Sequence, residues 1–144
     1  MRKNLIILGL GIILTFGFTS CSKSSKMRKL AGSWDEQFFD GNPAHKQTIW
    51  VFKDDGTLQI EYLRQDNDGN KRIINSPVVQ YTLQSAFLDG YYLYITGLGM
   101  SPDGIYFDGR YRIMKLTNSQ LIMQRIEMYG STKGAFLRKE FVKL

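Results

Sequence analysis

Turn signals cut this chain at short intervals. Asp-Gly steps beginning at Asp55, Asp68, Asp89 and Asp103 separate runs rich in β-branched and aromatic residues, and Gly41-Asn42-Pro43, Thr117-Asn118-Ser119 and Gly130-Ser131 add further breaks. Glycine accepts the positive φ that tight hairpin turns require, so the spacing favours hairpins over long helices. Strands are expected near 33–39, 47–53, 57–65, 71–83, 91–97, 105–116, 120–129 and 134–143. Within them apolar and polar residues alternate: Leu58, Ile60 and Tyr62 oppose Thr57, Gln59 and Glu61, and Val79, Tyr81 and Leu83 oppose Gln80, Thr82 and Gln84. A period of two with one apolar face describes a strand buried on one side. The phase slips at Met114 and Leu116, which predicts a bulge. Pro77 has no N–H for a ladder and predicts a break in the fourth run.

Eight antiparallel strands in chain order within residues 30–144 suit an all-β, up-and-down barrel. Closure removes exposed sheet edges, and an eight-stranded interior is either filled by side chains or holds one small ligand. Upstream of the strands, only 22–31 has room for a turn or two of helix.

The first 21 residues address the chain. Arg2 and Lys3 are followed by a mostly apolar run from Leu5 to Phe18, then Thr19, Ser20 and Cys21. Charged, apolar and small parts in that order describe a secretory signal peptide, and the apolar run is shorter than the roughly 20 residues of a membrane span. Phe18-Thr19-Ser20-Cys21 resembles the lipobox of bacterial lipoproteins. That resemblance implies removal of 1–20 and a diacylglycerol plus an N-acyl chain on Cys21, with no other cofactor. Several chains together anchor stably where one binds reversibly. Residues 21–29 then form a basic tether, at most about 28 Å long from Ser22 to Lys29 at roughly 3.5 Å per residue. Cys21 is the lone cysteine, so the 30–144 domain must hold without a disulfide.

The formal charge of +6 comes from 19 Lys plus Arg against 13 Asp plus Glu. Six of the cations, Arg2, Lys3, Lys23, Lys26, Arg28 and Lys29, precede Leu30, and no carboxylate does. The domain is therefore neutral and carries no footprint for nucleic acid. The basic segment beside Cys21 suits anionic lipid, at roughly 1 kcal/mol per cation near a surface.

Leu30-Ala31-Gly32-Ser33-Trp34 is similar to the Leu-x-Gly-x-Trp opening of lipocalins and of shorter lipocalin-like lipoproteins of bacteria. Val51-Phe52-Lys53-Asp54-Asp55-Gly56-Thr57-Leu58 resembles their Phe-x-x-Asp-Gly-Thr hairpin, and Tyr111-x-Ile113 with Leu116-Thr117 and Leu121 their penultimate hairpin. The resemblance implies that Gly32 lets the chain cross the barrel floor and that Trp34 plugs it. A last-strand cation lies across the indole in such folds; Arg138 is the best-placed candidate, with Arg125 and Lys139 as alternatives.

Catalysis and metal binding find little material. His45 is the only histidine, with no nucleophile motif beside it, and Asp66-Asn67-Asp68-Gly69-Asn70 has its glycine at position four where a calcium loop needs it at six. No catalytic and no metal residue is assigned. The richest cluster is aromatic: Tyr91, Tyr92 and Tyr94, then Met100, then Tyr106 and Phe107. Tyrosines on both faces of one strand place some outside or at the rim, where Tyr, Met and Phe form a contact surface for a ligand or partner. Alternatively, the loop from Gly97 to Gly104 folds over and closes its own barrel end. The expected protein is a non-catalytic lipoprotein docking to an envelope protein in a secretion or assembly complex; the alternative is a carrier of a small apolar molecule. Ser22 in place of Asp, and no acidic run after Cys21, favour the outer membrane and its periplasmic face.

Overall fold

A computed structural model of the chain describes residues 23–37, 46–66, 68–86, 90–128 and 137–144. A helix, α1 (23–30), precedes nine strands: β1 (Gly32–Gln37), β2 (Lys46–Phe52), β3 (Thr57–Gln65), β4 (Lys71–Asn75), β5 (Val79–Ala86), β6 (Gly90–Ile95), β7 (Gly109–Leu116), β8 (Gln120–Glu127) and β9 (Leu137–Lys143). Every pairing is antiparallel, and β9 returns to β1 through Trp34↔Lys143 to Gln37↔Glu140. The ring β1-β2-β3-β5-β6-β7-β8-β9 is a closed eight-stranded up-and-down barrel.

β4 and β5 are two halves of one barrel strand. β4 pairs with the far part of β3 through Glu61↔Asn75 to Gln65↔Lys71, and β5 with its start through Thr57↔Gln80 and Leu58↔Val79. The break falls at Ser76-Pro77-Val78, where the proline was expected to interrupt the strand. Ser76 repairs the ladder: its N–H donates to the Ile60 carbonyl at 2.8 Å and its Oγ accepts the Ile60 N–H at 2.8 Å. The phase slip in β7 is a register shift between Ile113 and Lys115.

Inward positions carry the core. Trp34, Trp50, Phe52, Leu58, Ile60, Leu83, Leu93, Ile95, Tyr111, Leu121 and Phe141 are buried, each such side chain stabilising by about 1.5–3 kcal/mol. Aromatic rings run through the interior in contact, from Tyr81 to Phe52 (5.3 Å), Phe52 to Trp50 (6.1 Å), Trp50 to Phe107 (5.2 Å) and Phe107 to Tyr62 (6.4 Å).

The turn or two of helix expected within 22–31 is α1, seated on the floor end where β1 begins. Met27 and Leu30, three apart, share one helical face, and both pack on the core. The last carbonyls of the helix are satisfied from the barrel: Trp34 Nε1 donates to Leu30 O at 2.7 Å, and Lys143 Nζ donates to Lys29 O at 3.0 Å and Ala31 O at 2.6 Å. Eight helical residues rise only about 12 Å.

Candidate functional site

The end opposite α1 is closed by the chain's own β6–β7 connection. This hairpin, with a bridge between Met100 and Tyr106, bends over the mouth instead of continuing β7 back to residue 105. Leu98, Ser101 and Phe107 are buried beneath it. Asp108 organises the bend by accepting the Leu98 N–H at 2.8 Å and the Tyr106 hydroxyl at 3.0 Å. At the tip Asp103 pairs with Arg64 on β3, across the opening. The strand expected from 105 therefore starts at Gly109, because 98–108 turn inward and cap the barrel.

Beneath that cap lies a buried polar cluster. Lys139 on β9 and Glu36 on β1 form an ion pair with side chains only 3% and 7% exposed. Glu36 also accepts the Trp50 Nε1–H at 3.1 Å, and the Lys139 ammonium lies 4.4 Å from the Phe107 ring centroid and 5.6 Å from Trp50. Burial pushes the Lys139 ammonium below the usual lysine range, and Glu36 opposes that shift. Arg125 on β8 is buried as well and donates to the Tyr106 carbonyl, and Tyr111 donates to the Phe107 carbonyl at 2.6 Å. Charge-assisted bonds thus tie β1, β2 and β9 to one another and β8 to the cap in a water-poor interior.

The tyrosines outside the barrel form a second arrangement. Tyr94 and Arg110 are cross-strand partners on the outer face of β6 and β7. With Tyr106, Asp108, Gly109 and Glu127 they line a groove of about 240 Å³. The Arg110 guanidinium sits 4.3 Å from the Tyr92 ring centroid and 5.6 Å from Tyr94, and 3.6 Å from a Glu127 carboxylate oxygen. Pockets for drug-sized molecules span about 300–1,000 Å³, so this groove is scaled to a side chain.

The expected contact residues divide. Tyr94 and Tyr106 meet in the groove, and Tyr92 is buried under Arg110. Met100 is exposed on the cap at 67%. Phe107 points inward and closes the mouth, so it is no rim contact. Tyr91 belongs to the opposite end, half-buried beneath α1 with Lys26 5.5 Å from its centroid.

At the floor Trp34 is fully buried. The cation over it is Lys143, 5.0 Å from the centroid. Arg138, the expected partner, is 57% exposed and paired with Glu140 at 2.8 Å. The reason is the period of two: Leu137, Lys139, Phe141 and Lys143 share one side of β9, and Arg138 lies on the other. Gly32 has a φ of +127°, and a Cβ there would lie 2.7 Å from Lys143 Cε, so the bare backbone leaves room for that cation.

Alternation could have exposed the polar cluster in the sequence. Glu36 is in phase with Trp34, Arg125 with Leu121 and Met123, and Lys139 with Phe141, each a charge at an inward position. Cys21, His45, Asp89 and residues 1–20, where a leader is expected, lie outside the described residues. Among the described residues no helix is long and apolar enough to cross a membrane, and no three His, Cys, Asp or Glu side chains gather as a metal site. Comparison of the chain with family models, with curated proteins and with solved structures found no match.

Proposed function

We propose that this chain is a lipocalin-like, lipid-anchored docking module of the bacterial envelope, held at the outer membrane through Cys21 and facing the periplasm. It receives a partner protein of a secretion or assembly complex at the groove between Tyr94, Tyr106 and Arg110, and the proposal assigns it no chemistry of its own. One observation carries the reading: Phe107 from the chain's own cap fills the mouth against Trp50 and Tyr62, where a carried molecule would enter. The outer groove supports it in a second way. Tyr and Arg dominate binding hot spots because they combine large contact area with directional polar groups, and here both are already ordered on rigid strands.

Photocrosslinking in intact envelopes tests this. A photoreactive residue at Tyr94 should give one discrete protein adduct, while the same residue at exposed Lys115 gives none, and Arg110→Ala should abolish the adduct. The competing reading is carriage of a small apolar molecule, which requires Phe107 to leave the mouth. Native mass spectrometry of detergent-extracted protein showing a stoichiometric apolar molecule, with no adduct at Tyr94, would replace docking with carriage.

A further inference from the structure

We infer that the barrel floor is a docking face for anionic lipid head groups, so that the protein stands floor-down on the bilayer with its mouth and outer groove turned away. The inference rests on acylation of Cys21. Helix α1 carries Lys23, Lys26, Arg28 and Lys29 and no carboxylate. Because Met27 and Leu30 face the core, the outer side of the helix presents Ser24, Arg28 and Lys29, all exposed.

The cations of this helix differ from three arginines of the barrel wall, which are paired. Lys71 and Arg72 at the mouth are likewise exposed without an ion pair among the described residues, and the floor-end turn also exposes Asp54 and Asp55. Arg64, Arg110 and Arg138 are matched by Asp103, Glu127 and Glu140. Among the described residues no carboxylate pairs with Lys23, Arg28 or Lys29. Exposed cations left unpaired on an immobilised helix complement an anionic surface. The same end exposes Val142 at 45% and Leu144 at 68%, and the Leu144 N–H donates to Ser33 O at 3.0 Å, which places these apolar side chains at the floor rim.

Geometry fixes the orientation. The bonds from Trp34 and Lys143 hold the end of α1 to the barrel. Cys21 precedes Lys23 by two residues, at most about 7 Å of chain. A free tether of the same sequence would reach about 28 Å and allow any orientation; a docked helix holds the acyl chains beside the floor.

The test uses the acylated full chain in vesicles of phosphatidylcholine, with or without phosphatidylglycerol. The sulfur of Cys21 is blocked as a thioether, so an engineered cysteine is the only reactive thiol. Ser119→Cys reports the floor, in the β7–β8 turn, and Asn70→Cys the mouth, in the β3–β4 turn. In anionic vesicles maleimide should label Ser119→Cys at least about fivefold more slowly than Asn70→Cys, the factor that roughly one cation's attraction represents. Arg28→Glu with Lys29→Glu should remove that difference while the protein stays anchored. Equal labelling at both ends in anionic vesicles, or protection that survives the double charge reversal, overturns the inference. Intact mass separates the underlying reading: an unmodified Cys21 removes the anchor. In that case flotation of residues 22–144, which contain every described element, with millimolar anionic lipid decides the floor's affinity. Flotation that the double reversal abolishes supports the face, and its absence in the parent overturns it.

Discussion

Replacing Glu36 by Gln should destabilise the fold by about 3–5 kcal/mol while changing almost no volume, because it leaves the Lys139 ammonium buried without its counter-charge. The two side chains are 7% and 3% exposed, so water cannot substitute for the lost partner. The Phe107 and Trp50 rings beside the ammonium return only part of the loss, since a cation–π contact is worth about 2 kcal/mol when desolvated. Lys139→Met should be costly for the converse reason, leaving Glu36 with the Trp50 N–H at 3.1 Å as its remaining bond. The double variant Glu36→Gln with Lys139→Met removes both charges and keeps an acceptor for that N–H. It should lie within about 1 kcal/mol of the parent, or above it, as replacement of whole buried pairs often does. Guanidinium unfolding followed by fluorescence reads this directly, because both tryptophans of the chain, Trp34 and Trp50, are buried in the barrel. Midpoints should move with unchanged slopes. A loss below about 1 kcal/mol for Glu36→Gln, or a double variant costing the sum of the singles, would refute the argument that the pair is desolvated and mutually dependent.

Trp34→Ala should cost about 3–5 kcal/mol as a large cavity at the floor, with Lys143→Met costing less, about 1–3 kcal/mol for the cation–π contact and the bonds to the Lys29 and Ala31 carbonyls together; an unchanged thermal midpoint for Trp34→Ala would remove the plug. Gly109→Ala should cost at least about 2 kcal/mol, because φ is +148° and the new Cβ would sit 2.4 Å from the Glu127 carbonyl, and urea melts would show it. Alkaline stability is set by buried tyrosines: Tyr62 and Tyr81 are pushed up to about 12 by burial, whereas unfolded tyrosines ionise near 10. Their contribution is complete below pH 10 and is lost as pH rises toward 12, at about 1.4 kcal/mol per pH unit for each; melts that stay level from pH 10 to 12 would contradict this. Lys139 acts with the opposite sign, since its folded value lies below 10.5 and stability rises with pH between the two.

The sequence by itself determined the order of the barrel strands, the break at Pro77 and the bulge near Met114, because each follows from nearest-neighbour rules of alternation, turn chemistry and a missing N–H, while the strand expected from 105 starts only at Gly109. The 57–65 strand matches β3 residue for residue, since Asp55-Gly56 and the 66–70 turn bound it on both sides. Tertiary structure alone decided what lies over what. Alternation along β9 puts Arg138 on the outer side but leaves Lys139 and Lys143 on the same inner side; only the register of β9 on β1 chooses Lys143, by setting it opposite Trp34. Nothing in Tyr106-Phe107-Asp108 says that Phe107 enters the mouth while Tyr106 stays in the groove, because that choice depends on Trp50 and Tyr62 arriving from strands far away in the chain. The Glu36–Lys139 pair is 103 residues apart in sequence, and only the closing of the barrel brings its two charges into one dry space.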